Sequence, residues 1–253
     1  MPLDDDVLLR TEAVTKSFSG FVAVNGVSLD VKRGAIHALI GPNGAGKTTF
    51  FNLLTRFLPV TSGRIYFKGR DITNAKPHDV SRMGVVRSFQ ISAVFPRLTA
   101  LENVRIALQR FRADNYCFWR SDAVLGDLDA KARALLADVG LEAYAAVTAA
   151  ELPYGRKRAL ELATTLALEP ELLLLDEPTS GMASGDIGRI VELIRRIAVN
   201  RTVLMVEHNL SVVAGLSHRI TVMQHGGILA DGSYDDVSKD PAVIEAYLGS
   251  GLG

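Results

Sequence analysis

The segment Gly41-Pro42-Asn43-Gly44-Ala45-Gly46-Lys47-Thr48-Thr49 constrains this chain more than any other. It satisfies the spacing G-x4-G-K-[ST] and falls between residues 36–40, a buried-strand candidate, and a helical pattern reaching Leu54. A strand, a glycine turn and a helix in that order commit the chain to an α/β unit. The residue types suit a phosphate. Glycines let successive backbone N–H groups turn inward without side-chain obstruction, and the start of a helix adds partial positive charge. Asn43, Gly44, Ala45, Gly46 and Thr49 would line the cradle. Lys47 would reach the β- and γ-phosphates as a mobile point charge, and Thr48 would place a hydroxyl on Mg²⁺.

Around this loop, short β-rich runs alternate with helical periodicity, the pattern of an α/β fold with a largely parallel sheet. Residues 8–11 and 24–31 read as an antiparallel flap, and 64–67, followed by Lys68-Gly69, as half of a hairpin. Further strands are expected at 85–89, 172–175, 202–206, 219–224 and 228–231, the last two around a Gly226-Gly227 turn. A helix at 184–199 is signalled by Ile187, Ile190, Val191 and Ile194, spaced i, i+3, i+4, i+7. Pro241 opens a last helix ending near Leu248. Between about 91 and 160 the strand pattern stops. Helical spacing takes over, with aromatic residues at Phe111, Tyr116, Phe118 and Trp119. The expected organisation is a core of residues 1–90 and 161–253 with a helical subdomain, 91–160, inserted into it.

Open α/β sheets bind ligands beyond the carboxyl ends of their parallel strands. Four expected strands are each followed by a residue suited to phosphate chemistry: the loop with Lys47, then Gln90, Asp176 with Glu177, and His208 after Glu207 at the end of 202–206. Asp176, set by a rigid apolar strand, would orient the metal's waters. Glu177 points elsewhere and could accept a proton from an attacking water. Gln90 has an amide able both to bind Mg²⁺ and to orient water, and His208 would contact the γ-phosphate or that water. Each residue alone has a blander reading as a solvated turn or a structural side chain. Their shared position raises them together.

Composition narrows the partners. Lys plus Arg, 28, equals Asp plus Glu, 28, which argues against a broadly basic nucleic-acid-binding surface, so no nucleic-acid partner is expected. One cysteine, Cys117, excludes an intrachain disulfide and a cysteine zinc cage, and fits a reducing compartment. Asp4, Asp5 and Asp6 stand where a secretion signal would carry positive charge, so none is expected. No apolar run approaches the roughly 18–20 residues of a membrane span, so a membrane role is expected to come through a partner.

With these residues assembled, the chain resembles the ATP-binding subunit of an ABC transporter from about Leu8 to Leu248. GPNGAGKTT looks like the Walker A motif, LLLLDEPTSGM like Walker B running towards the D-loop, Gln90 like the Q-loop glutamine and His208 like the H-loop histidine. The resemblance implies a RecA-like P-loop NTPase core with an antiparallel β flap and an inserted helical subdomain, binding ATP and Mg²⁺. It also implies that Phe18 stacks on adenine, with Phe21 as the alternative and core packing as the blander role of Phe18. The signature departs from the family's L-S-G-G-Q: here it reads Leu152-Pro153-Tyr154-Gly155-Arg156. In the family this helix start reaches across a dimer to the γ-phosphate held by the other subunit. Pro153 has neither hydroxyl nor N–H to offer, which leaves the Tyr154 and Gly155 amides, the helix dipole and Arg156. Ala183 stands where the D-loop aspartate is usual.

The L-x-Y-G signature, Gly181-Met182 and the ending Glu245-Ala246-Tyr247-Leu248-Gly249 look most like the branched-chain amino acid importer subgroup. Subunits for urea, aromatic acids or envelope lipid export share much of this. The implied assembly is a homodimer, or a heterodimer with a second ABC ATPase, on two transmembrane permease subunits. A periplasmic or surface solute-binding protein feeds the permease, and this chain sits in the cytoplasm, peripheral on the inner face of the membrane. The permease would dock around the Gln90 loop and the insert. The rival classes are a non-transport ABC ATPase, disfavoured by the single cassette and short insert, and a non-hydrolysing regulatory module, disfavoured by an intact Glu177.

Overall fold

The computed structural model describes residues 6–88, 94–109 and 122–249; Gln90, Cys117 and the aromatic group at 111–119 lie outside the described residues. In chain order the first elements are β1 (Val7–Phe18), β2 (Phe21–Lys32), β3 (Ile36–Ile40), α1 (Lys47–Leu54), β4 (Ser62–Phe67) and β5 (Arg70–Asp71). They are followed by α2 (Pro77–Arg82), β6 (Val85–Ser88), α3 (Ala100–Gln109), α4 (Asp122–Asp138), α5 (Tyr154–Leu166) and β7 (Leu172–Asp176). The last part contains α6 (Ser184–Ala198), β8 (Thr202–Val206), α7 (Leu210–Leu216), β9 (Arg219–Gln224), β10 (Gly227–Gly232), α8 (Tyr234–Ser238) and α9 (Pro241–Gly249). The chain divides into two compact units: residues 1–87, 171–179 and 198–253 form one, and 88–170 with 180–197 the other.

Two sheets build the first unit. One has the strand order β2-β1-β4-β5 and is antiparallel. The other runs β10-β9-β3-β8-β7-β6, with β3 paired in parallel to both β8 and β9, and β7 in parallel to β8. Strands β3, β7 and β8 are buried at every residue, as their largely apolar sequences, interrupted only by His37, Thr202 and the terminal Asp176, require of a sheet covered on both faces. Helix α1 is buried on opposite sides, through Phe50, Phe51, Leu53 and Leu54. These side chains share one cluster with Leu8, Val24 and Ile65 of the antiparallel sheet and with Leu39, Leu174 and Val206 of the other. Each such side chain contributes roughly 1.5–3 kcal/mol by leaving water. The helix carrying Lys47 and Thr48 is therefore held between two sheets.

Hairpin turns set the register. Ser19-Gly20, Lys68-Gly69 and His225-Gly226 each place two residues at positive φ, the condition of a type I′ turn, whose twist matches that of the strands it joins. The turn before β10 thus falls one residue earlier than the Gly226-Gly227 pair suggests, because its first position accepts a non-glycine residue. The flap strands run longer than 8–11 and 24–31. The β1–β2 pairing extends to Phe18 opposite Phe21, carried past polar residues by cross-strand hydrogen bonding and several bulges.

The second unit is helical. Thr99 caps α3: its Oγ1 accepts from Glu102 N at 3.2 Å while the Glu102 carboxylate accepts from Thr99 N at 2.7 Å. Buried Asn103 accepts from Phe95 N and donates to the Phe95 and Thr99 carbonyls, fixing the chain that enters the helix. In α6 the buried stripe is Ile190, Leu193, Ile194 and Ile197, whereas Ile187 and Val191 are only half-buried. The i, i+3, i+4, i+7 pattern is kept, moved one turn along the helix.

Candidate active site

The phosphate loop leaves β3 at Gly41, where φ is 146° and an added Cβ would lie 2.1 Å from the Met223 carbonyl oxygen of β9. Gly46 has φ 99° and an added Cβ there would lie 2.3 Å from Ala23 O. No side chain other than hydrogen fits either place, so two of the motif's glycines are required by close backbone approach. Gly46 is also the N-cap of α1; it provides no side-chain cap, and the first turn holds no acidic residue. The helix start thus keeps N–H donors and its partial positive charge for an anion. Neighbouring segments hold the loop from outside, Gly226 N donating to Ala45 O at 3.1 Å. Tyr247 of α9 hydrogen-bonds the Gly41 backbone; that bond pulls its phenol pKa down, as one donated to the oxygen does, against a larger upward push from burial.

Lys47 folds over the loop, its Nζ donating to Gly41 O at 2.6 Å and Pro42 O at 2.9 Å. Partial burial lowers its pKa from the usual lysine value, opposed by the negative fields of Glu177 and then Asp176. The same fields place both carboxylates near the ammonium. Thr48 is exposed at the start of α1.

Asp176 and Glu177 follow from the parallel register, in which Asp176 stands beside Val206 and Val206 beside Leu39. Adjacent strands lie about 4.8 Å apart, so the ends of β7, β8 and β3 form one edge. Asp176 is buried. Its Oδ2 accepts from Arg87 Nη2, and Arg87 Nη1 donates to Asn52 Oδ1 of α1 at 2.5 Å. The other oxygen, Oδ1, is buried without a hydrogen-bond partner. An unpaired buried acceptor costs about 1–3 kcal/mol, and a hard cation or one of its waters would satisfy it. Among the described residues no three metal-ligating side chains converge. A Mg²⁺ ion commonly takes one or two protein ligands and completes its shell with water and phosphate. Glu177 sits at φ 47°, a left-handed conformation uncommon for a side-chain-bearing residue, with its N–H donated to Val206 O at 2.9 Å.

At the end of β8, Glu207 is fully buried while His208 is exposed. Phe18 and Phe21 face each other at the tip of the β1–β2 hairpin, 42% and 67% exposed, so neither is a core residue. Lys16 Nζ stands 5.0 Å from the Phe18 ring centroid.

The signature belongs to the second unit. Pro153 is the N-cap of α5, with its carbonyl accepting from Arg156 N and Lys157 N at 2.9 Å. Tyr154 is half exposed and donates its hydroxyl to Ser180 O at 3.1 Å; the Gly155 Cα faces the Asp186 carboxylate. Arg156 lies 3.9 Å from the Tyr144 ring centroid, so its guanidinium is engaged by an aromatic face.

Lys47, Asp176, Glu177 and His208 therefore share a sheet edge, and Phe18 with Phe21 marks the flap tip. Arg87 and Asn52 escaped sequence reasoning, and Glu207 and Tyr247 entered it only as members of motifs, because each acts through a partner distant in sequence. A family described as ABC transporter matches residues 24–180, more than half of the chain. The chain belongs to the ABC transporter family. It is an ATP-binding cassette and an ATPase of that family. A second family, described as branched-chain amino acid ATP-binding cassette transporter, matches residues 228–252. BraF of Pseudomonas aeruginosa, a high-affinity branched-chain amino acid transport ATP-binding protein, is 37% identical over 252 residues, covering 96% of this chain and 98% of the relative. LivG of Escherichia coli, with the same description, is 36% identical over 252 residues, with coverage of 96% and 98%. Among solved structures, the ADP conformation of an ATP-binding cassette of an ABC transporter matches with a TM-score of 0.84 at 31% identity, covering 96% of this chain and 99% of that one.

Proposed function

We propose that this cassette hydrolyses ATP to drive import of branched-chain amino acids through separate membrane subunits. The observation that carries the catalytic half is the common edge of β3, β7 and β8, where Lys47 feels the fields of Glu177 and Asp176. Support for the solute comes from the match at 228–252 and from relatives that span nearly the whole chain.

In this reading, Asn43, Gly44, Ala45, Gly46, Lys47, Thr48 and Thr49 hold the phosphates, and Phe18 or Phe21 stacks on adenine. Thr48 and Asp176 hold Mg²⁺, with Gln90 as a further ligand. When bound, the ion neutralises the charge on the β- and γ-phosphates. Glu177 accepts the proton of the attacking water, and His208 contacts the γ-phosphate or that water. Tyr154 and Gly155 present their amides to the nucleotide of a second cassette, so ATP joins two cassettes and its hydrolysis releases them. The partners are a second copy or a different ABC ATPase, two permease subunits and a solute-binding protein feeding them. Residues 91–160 form the subdomain that meets the permease. Among the described residues no helix is long and apolar enough to cross a membrane. Placement of the cassette at the inner membrane face follows from its partners.

Steady-state ATPase activity of the wild type against Glu177→Gln tests the catalytic half. Nucleotide binding is retained and turnover falls by about 10²-fold or more; equal rates remove Glu177 from the mechanism. For the solute, uptake of labelled leucine is measured in cells lacking the gene. Wild type restores it and Lys47→Ala does not; undiminished uptake in the deletion strain sinks the assignment.

A further inference from the structure

We propose that Glu207 is a positioning residue for ATP hydrolysis, a buried carboxylate that locks the backbone carrying His208 to the segment that follows Glu177. The inference rests on the ATPase reading given above. Glu207 has no exposed surface and makes no ion pair among the described residues. A buried charge without a counter-ion is costly unless hydrogen bonds replace its water. Here they do. Oε1 accepts from Thr179 N at 3.0 Å and Thr179 Oγ1 at 2.5 Å, and Oε2 accepts from His208 N at 3.0 Å and Asn209 N at 3.1 Å. A carboxylate offers about four acceptor sites, and four donors fill them. Nothing remains for a metal or a substrate, so the contribution of Glu207 is geometric.

That geometry joins two chemical loops. On one side Thr179 lies two residues beyond Glu177, whose strained backbone is itself tied to Val206 O. On the other, His208 is bracketed by Glu207 and by Asn209, which caps α7 by accepting from Ser211 N and Val212 N. The imidazole stands exposed on a backbone fixed at both ends, and one planar group sets its height against the exit of β7. Glutamine cannot reproduce this. It has one acceptor oxygen, and its NH₂ would face N–H donors across one half of the bridge.

The test is a double-mutant cycle on the purified full chain, with Glu207→Gln, His208→Ala and the pair, and with Thr179→Val as an independent cut of the same bridge. Expected for Glu207→Gln is a folded protein with ATP affinity and KM within about twofold of wild type and kcat lower by roughly 10- to 100-fold, the cost of slight misplacement. In the His208→Ala background the same substitution adds little further loss, because both changes act through one imidazole. Thr179→Val lowers kcat in the same direction and is likewise silent without His208; it carries the test alone if Glu207→Gln does not fold. Losses that multiply across the cycle, or a parallel loss of ATP affinity, assign Glu207 a merely structural role and overturn the inference. So does an unchanged kcat. If His208→Ala alone keeps full turnover, the reading of His208 fails and takes this inference with it. If His208→Ala is impaired while both bridge variants are not, only this inference falls.

Discussion

Arg87 determines which oxygen of Asp176 remains available. Its guanidinium occupies Oδ2 and bridges to Asn52, leaving Oδ1 buried and unpaired. Side-chain exposure of the pair is 10% and 1%, so removing the cation leaves an uncompensated buried carboxylate. Arg87→Ala should cost about 3–5 kcal/mol, read as a lower midpoint in urea unfolding. An unchanged midpoint would show the pair to be solvated. Lys47→Ala should instead weaken nucleotide binding, measured by titration with a fluorescent nucleotide, and leave the fold intact. The two residues also differ in legibility. Lys47 is readable because its motif is local, with spacing, strand and helix all adjacent. Arg87 gains meaning only from Asp176, and Glu207 only from Thr179, partners 89 and 28 positions away that no local pattern exposes.

Elements were legible where hydrophobic period and turn chemistry agreed. Strands β7 and β8 are short apolar runs bounded by polar residues, β3 is one broken only by His37, and their observed limits match the runs closely. The flap strands were underestimated because bulges interrupt their alternation. In α6 the period was right and the buried face was displaced, since periodicity fixes spacing and packing chooses the face. The start of α5 allows a sharper test. Pro153 leaves the first turn without a side-chain cap, and Pro153→Ser would supply one, worth about 1 kcal/mol. Thermal unfolding of the variant should shift upward. ATP-dependent association, followed by light scattering, should strengthen if the missing hydroxyl weakens the cross-dimer contact; unchanged association would acquit Pro153.

At the scale of the molecule, stability should depend on acidity through a residue remote from catalysis. His37 of β3 is buried, and burial lowers its imidazole from 6.5 to about 4, with Asp231 opposing and Arg219 assisting. Its Nε2 lies 2.7 Å from Thr221 Oγ1, which donates to Asp231 Oδ1 at 3.0 Å. The carboxylate takes the hydroxyl proton, so Nε2 carries the hydrogen and donates it to Thr221. The unfolded chain then binds a proton that the folded one refuses between these two values. The contribution is fully present above about 6.5 and is lost as pH falls towards 4, amounting to about 3 kcal/mol. Urea unfolding at pH 7 and pH 4.5 should show this loss, reduced in His37→Gln; an equal loss in that variant would place it in other groups.

Strand β3, which launches the phosphate loop, has β8 on one side and β9 on the other, and both neighbours come from the last quarter of the chain. A chain emerging from the ribosome makes the loop early yet cannot seat it until these strands arrive. Loop-closure entropy over so long a span must be met before the sheet rewards it. A translation product truncated before residue 219 should therefore carry the GKT segment without a nucleotide pocket and fail to bind ATP, as titration with a fluorescent nucleotide would show.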